Sequence, residues 1–148
     1  EFRRVLFRSD YRASYEAVRK AATDFPSLNV TAAWWDNSWH VTVGARPLRA
    51  TLLQGEACGL VNEQPSEDEL RALAASVRAL SYGTNLWGSA DYRRRISAPL
   101  AIQAVRRAAG IELSAALARE LETVQIPKFA TDEYSCRRVP GVDSSEVR

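Results

Sequence analysis

Between Leu28 and Gly44 the chain alternates side chains around a single turn, and this constrains the fold more than any other feature. Leu28–Trp35 carries Val30, Thr31, Trp34 and Trp35, residues that suit a pleated strand. Asp36-Asn37-Ser38 is a turn cluster. Trp39, Val41 and Val43 then alternate with His40 and Thr42, the period of a half-buried strand. Two such runs joined by so short a link predict a β-hairpin. A hairpin with one apolar face needs another layer to cover it, and the second half of the chain supplies helices.

Ser66 and Glu69 fit a capping box, in which each side chain serves the other residue's backbone N–H. Behind it Leu70, Leu73, Ala74, Val77 and Leu80 keep one helical face apolar until Ser81-Tyr82-Gly83. A second helix begins at Ser89, with Asp91 in its first turn, where a negative charge suits the helix dipole. Tyr92, Ile96, Leu100, Ala104 and Ala108 form its stripe. Pro99 lies inside that pattern and is expected to kink or split the helix. Gly110 breaks the run, and Leu113, Leu117 and Leu121 support a short last helix.

Two segments leave alternatives open. Tyr11–Ala22 has the composition of a helix, yet it could be an edge strand. Leu48–Leu53 could be a third strand or the start of a helix. Strands followed by helices predict an α+β fold, with a small antiparallel sheet of three to four strands carrying about three helices on one face. The expected domain is 10–125. Ile126–Arg148 mixes Pro, Gly, Ser and charge without periodicity and reads as a loose tail.

The 148 residues suffice for one domain with a sizeable core. No apolar run is long enough to span a membrane, and nothing at the N-terminus reads as a secretory signal, so a soluble, cytoplasmic protein is expected. Arg4-Val5-Leu6-Phe7-Arg8-Ser9 resembles the translated end of a sequencing adapter. Glu1–Ser9 is therefore set aside, and the native N-terminus is expected further upstream. Without Arg3, Arg4, Arg8 and Glu1, the balance of 20 basic and 18 acidic residues becomes even. Net charge then offers no argument for nucleic acid or an acidic membrane.

Chemical motifs are scarce. The sequence has no GxGxxG, GxxxxGK[ST], CxxC or HExxH. A single histidine and two cysteines exclude a multi-histidine metal centre and a disulfide framework. His40 is expected on the solvated side of its strand without a catalytic partner. Cys58, between Ala57 and Gly59, reads as a small packed residue, whereas Cys136 beside Arg137 and Arg138 could hold a lowered pKa. Tyr92-Arg93-Arg94-Arg95 with Arg106-Arg107 could follow phosphates, but three successive arginines point in different directions around a helix. Adjacent Trp34 and Trp35 must face opposite sides of a strand, so one belongs to the core and the other to a surface that a neighbouring domain could cover.

Three motifs occur in order: Phe25-Pro26-Ser27-Leu28-Asn29-Val30, then Val43-Gly44-Ala45-Arg46-Pro47-Leu48-Arg49-Ala50, then Gly83-Thr84-Asn85-Leu86-Trp87-Gly88-Ser89-Ala90-Asp91-Tyr92-Arg93-Arg94-Arg95. Over roughly Tyr11 to Ala109 the chain resembles the C-terminal domain of the FAD-binding subunit of molybdenum hydroxylases, the xanthine and carbon monoxide dehydrogenase family. The resemblance implies three or four antiparallel strands followed by three helices. It implies an oxidoreductase in which a molybdenum subunit hydroxylates substrate and an iron–sulfur subunit passes electrons through 2Fe-2S clusters. FAD, held mainly by an upstream domain, hands them to NAD or another acceptor. This chain would pack on that flavin domain and help wall the isoalloxazine; no catalytic residue or metal ligand is assigned to it, and no cofactor-binding residue is carried over. Where the family often carries a lysine near the flavin and an arginine four residues later, this chain has Glu16 and Lys20. The resemblance implies a structural role for the arginine motif, with Tyr92 in the core and Arg93 or Arg94 bonding nearby carbonyls or carboxylates. The alternative is a free-standing interaction module of the same fold, anchored by its exposed tryptophan and without a redox role.

Overall fold

The computed structural model describes residues 12–112 and 114–122. The adapter-like segment, Cys136 and the expected tail at Ile126–Arg148 lie outside them.

Four strands, β1 (Arg12–Val18), β2 (Leu28–Trp35), β3 (Ser38–Gly44) and β4 (Thr51–Gln54), form an antiparallel meander in chain order. Three helices follow: α1 (Glu67–Ala79), α2 (Ala90–Ala109) and α3 (Ala115–Glu122). The fold is the expected α+β arrangement. Asp36 and Asn37 join β2 to β3 with φ of 50° and 57°, the left-handed pair of a two-residue hairpin turn. That turn pairs Trp34 with Trp39 and puts both on the inner face, ring centroids 5.5 Å apart. Val30, Ala32, Val41 and Val43 share that face and are buried. Trp35 takes the opposite face and is 63% exposed.

Helix α2 lies across β1 and β2, and α1 packs on α2. One layer of helices thus covers one face of the sheet, and the core fills between them. Leu70, Leu73 and Val77 of α1 and Ile96, Leu100, Ile102 and Val105 of α2 are buried in it.

The helix-favouring composition of Tyr11–Ala22 is overridden. Residues 12–18 pair along β2 from Trp34 to Leu28, and Ser14, Glu16 and Val18 then face α2. The Ser14 hydroxyl donates to the Ala104 carbonyl (2.5 Å), and Arg107 ion-pairs with Glu16 at 2.5 Å. The undecided Leu48–Leu53 region forms β4. Of the kink or split expected at Pro99, the split does not occur: α2 runs as one helix through it. Proline at 99 removes the N–H that the Arg95 carbonyl would accept from, but Arg95 is exposed, so water can take its place. The Pro99 ring itself is buried.

Glu69 closes the capping box with Ser66 and also accepts from the backbone N–H groups of Val61 and Asn62. It thereby ties the loop after β4 to the start of α1.

Candidate functional site

The three segments that carry the resemblance meet at one end of the sheet, and Arg93 is the reason. It is the fourth residue of α2, and the helix aims its side chain back under the loops. The side chain is 0% exposed. Its Nε donates to the carbonyls of Ser27 (2.7 Å) and Ala45 (3.3 Å). Nη1 donates to the carbonyls of Gly83 (2.8 Å) and Gly88. Nη2 donates to Asn85 Oδ1 at 2.5 Å. Five donors in a planar fork suit this task, and a lysine ammonium could not reach the same set. Burial pushes the Arg93 guanidinium below its ordinary pKa, yet an arginine remains charged in a protein.

Each polar residue of the 83–89 segment has a local role. Ser89 caps α2 by accepting from Tyr92 N–H. Thr84 accepts from Ala90 N–H, and Asn85 Oδ1 accepts from Trp87 N–H as well as from Arg93. Ser27 donates through its hydroxyl to the Trp87 carbonyl at 2.9 Å. Arg46 is a second buried fork. It donates to the carbonyls of Arg49 and Ser81 and to the Thr51 hydroxyl. Gly83 sits so close to Arg46 and Pro47 that an added Cβ would lie 3.1 Å from the Pro47 ring and 3.3 Å from two carbonyl oxygens.

Above this scaffold the surface is apolar and open. Phe25 is 75% exposed and meets the half-buried Trp87 edge-on, with centroids 6.4 Å apart. Leu48 and Leu86 are exposed beside them. Trp87 separates two shallow hollows. Pro26, Asn29 and Leu48 line one, and Arg19, Lys20, Leu86 and Tyr92 line the other.

The structure sorts the sequence candidates. Arg93 bonds carbonyls and Arg94 bonds the Asp91 carboxylate, so both kinds of partner expected for the motif occur. Tyr92 corrects an expectation: it flanks the core half-buried, because the cap at Ser89 turns the helix so that Arg93 points inward. Arg106 bonds the Ile111 carbonyl and Glu112, and Arg107 bonds Glu16. The arginine run is therefore used largely within the domain and forms no phosphate-facing stripe. His40 is half-buried, not solvated, because Trp35 lies beside it at 5.8 Å; its Nδ1 is buried without a hydrogen-bond partner among the described residues. Cys58 is buried. Of the two positions singled out near the chain entry, Glu16 faces α2 and is 1% exposed, while Lys20 is exposed beside the second hollow. Among the described residues, no three His, Cys, Asp or Glu side chains gather as metal ligands, and no helix is long and apolar enough to cross a membrane. The roles of Arg46, Asn85 and Ser27 were not legible in the sequence; the lone arginine in the Gly44–Pro47 turn was the available signal.

No protein-family model matches the chain, and no curated protein matches it in a sequence comparison. Solved structures do match. Carbon monoxide dehydrogenase from Hydrogenophaga pseudoflava aligns with 69% of this chain at a TM-score of 0.56 and 17% identity. Quinoline 2-oxidoreductase from Pseudomonas putida 86 aligns with 68% at a TM-score of 0.56 and 16% identity. The Cu,Mo-CO dehydrogenase in its cyanide-inactivated form aligns with 68% at a TM-score of 0.55 and 14% identity. The alignments span 38%, 38% and 37% of those chains, respectively. At such identities the shared property is the fold: this chain has the four-strand, three-helix architecture of a segment found in carbon monoxide dehydrogenase and quinoline 2-oxidoreductase chains.

Proposed function

We propose that this chain is the C-terminal domain of the FAD-binding subunit of a molybdenum hydroxylase, and that it acts by packing on the flavin domain. The observation that carries this reading is the fold match to carbon monoxide dehydrogenase and quinoline 2-oxidoreductase chains, of which it spans well under half. The ordered motifs ending in Tyr92-Arg93-Arg94-Arg95 support the assignment to the flavin subunit. In the complete enzyme the molybdenum cofactor, the 2Fe-2S clusters and most of the FAD site would belong to other subunits or to the upstream domain. Electrons would leave FAD for an acceptor such as NAD, in the cytoplasm.

Glu16, Arg93 and Arg46 do not fit a direct hold on flavin. Glu16 stands where the family often has its lysine, and it is sealed under α2 by Arg107. The Arg93 and Arg46 forks are occupied by backbone carbonyls and by the side chains of Asn85 and Thr51. What remains for the chain is mechanical: a loop end pinned by Arg93 and an outer sheet face on which Trp35 is exposed.

The test is to read the coding DNA upstream of the Asp10 codon and express the upstream polypeptide with and without this chain. The expected result is an open frame continuing into glycine-rich flavin-binding loops, with flavin retained less well when this chain is omitted. A stop codon followed by a start close to Tyr11 would overturn the reading and leave a free-standing domain.

A further inference from the structure

The loop end carries an electrostatic imbalance. Arg46 and Arg93 are both buried, and among the described residues neither has a carboxylate partner; their hydrogen bonds go to carbonyls, an amide and a hydroxyl. Dipoles lower the cost of a buried cation but leave its formal charge in place. Two positive charges thus lie just under a surface whose hollows are lined by the exposed Lys20 and by no aspartate or glutamate. Two acids lie near this end in sequence: Asp24, in the same β1–β2 connection as Lys20 and Phe25 but lining neither hollow, and Asp91, engaged by Arg94. The same surface presents Phe25, Leu48 and Leu86, with Leu86 86% exposed. Its three loops are held in register by one side chain, so little ordering would be lost on contact.

We propose that this end of the domain docks an acidic polypeptide segment that carries apolar side chains. The acidic groups would answer the buried guanidinium charges and Lys20, and the apolar groups would fill the hollows on either side of Trp87. A small anion would leave Phe25, Leu48 and Leu86 uncovered, and the inward-facing carbonyls around Arg93 offer it no backbone cradle. The inference stands on these charges and apolar groups alone and does not rest on the family reading.

The experiment uses the full chain labelled with nitrogen-15, whose four tryptophans each give one indole N–H signal. Trp87→Phe assigns the relevant one. Three probes are titrated: a synthetic peptide alternating glutamate and aspartate with leucine and phenylalanine, the same peptide with lysine replacing its acids, and inorganic phosphate. The expected result is a saturable shift of the Trp87 signal with the acidic peptide, weakened by salt and absent with the lysine peptide. Lys20→Glu, at an exposed position, should weaken that binding roughly tenfold and leave the other indole signals in place. No Trp87 shift, equal binding of both peptides, indifference to Lys20→Glu, or phosphate alone reproducing the shift would each overturn the proposal.

Discussion

The indole N–H of Trp39 donates to the Asn62 carbonyl across 2.8 Å, and Glu69 holds the loop that presents that carbonyl. A fully buried tryptophan on β3 is thus satisfied by a loop whose position depends on a carboxylate in the first turn of α1. Strand layer and helix layer are joined here by polar contacts as well as by apolar packing.

Strong acid should undo this joint. Partial burial opposes ionisation of Glu69, but the N–H groups of Ser66, Val61 and Asn62 outweigh it and hold the carboxyl at about 2 instead of the usual 4.5. A pKa depressed by folding contributes stability above the unfolded value and loses it as pH falls through the folded one. The contribution is therefore complete above pH 4.5 and disappears toward pH 2. Glu69→Gln should cost about 1–2 kcal/mol at neutral pH and flatten that acid limb. Urea unfolding across the range checks it, and an unchanged acid limb in the variant would refute the assignment.

Arg93→Met tests the pin at the loop end. The variant leaves the carbonyls of Ser27, Ala45, Gly83 and Gly88 without their shared donor. A loss of about 3 kcal/mol or more is expected from stranding several buried acceptors. Chemical denaturation measures the loss. Backbone amide exchange should also quicken at residues 83–88, and protection equal to that of the parent chain would count against the pin.

The Cys58 thiol is predicted to be inert. Burial pushes its pKa up, against a smaller opposing pull from backbone hydrogen bonds at Leu60 and Cys58. In a Cys136→Ser variant, labelling by an aromatic disulfide should proceed only as fast as the domain opens. It should not speed up in step with thiol ionisation as pH passes the ordinary thiol range of about 8–9. Rapid labelling of the folded protein would show that the site is accessible.

Gly55 and Gly59 both have left-handed φ, 57° and 73°, but only the second is crowded. A Cβ on Gly59 would lie 2.8 Å from the Ala72 Cβ, whereas one on Gly55 meets nothing within 4 Å. Gly55→Ala should cost about 1–2 kcal/mol, the backbone penalty alone. Gly59→Ala should cost roughly a further 1–3 kcal/mol, because α1 would have to move. Equal unfolding midpoints would contradict this.

What could be read in the sequence follows from how local each signal is. The hairpin turn, the capping box and the apolar stripe of α1 are encoded by neighbours within a few residues and appear where expected, as does the α2 stripe from Ile96 onward. β1 was ambiguous because its two alanines, its arginine and its glutamate carry no strand preference; what makes it a strand is pairing with β2 and the burial of Glu16 against Arg107. The loop end was illegible for a stronger reason. Ser27, Ala45, Gly83 and Arg93 are far apart in the chain, and carbonyl acceptors carry no residue identity, so nothing in the sequence announces that one arginine will collect them. The arginine run drew attention to phosphate because its charge is visible in the sequence while its partners are not.

Arg93 bonds the Ser27 carbonyl across 66 positions and the Ala45 carbonyl across 48. On the ribosome the hairpin and β4 are made well before the residue that organises their loops. A nascent chain can therefore pair its strands early while its loop end stays open until the first turn of α2 has emerged. The step that completes this surface belongs to the late, long-range part of folding, where closing large loops is slow. A chain stopped before residue 93 would keep strands able to pair and lack a finished face to offer a partner.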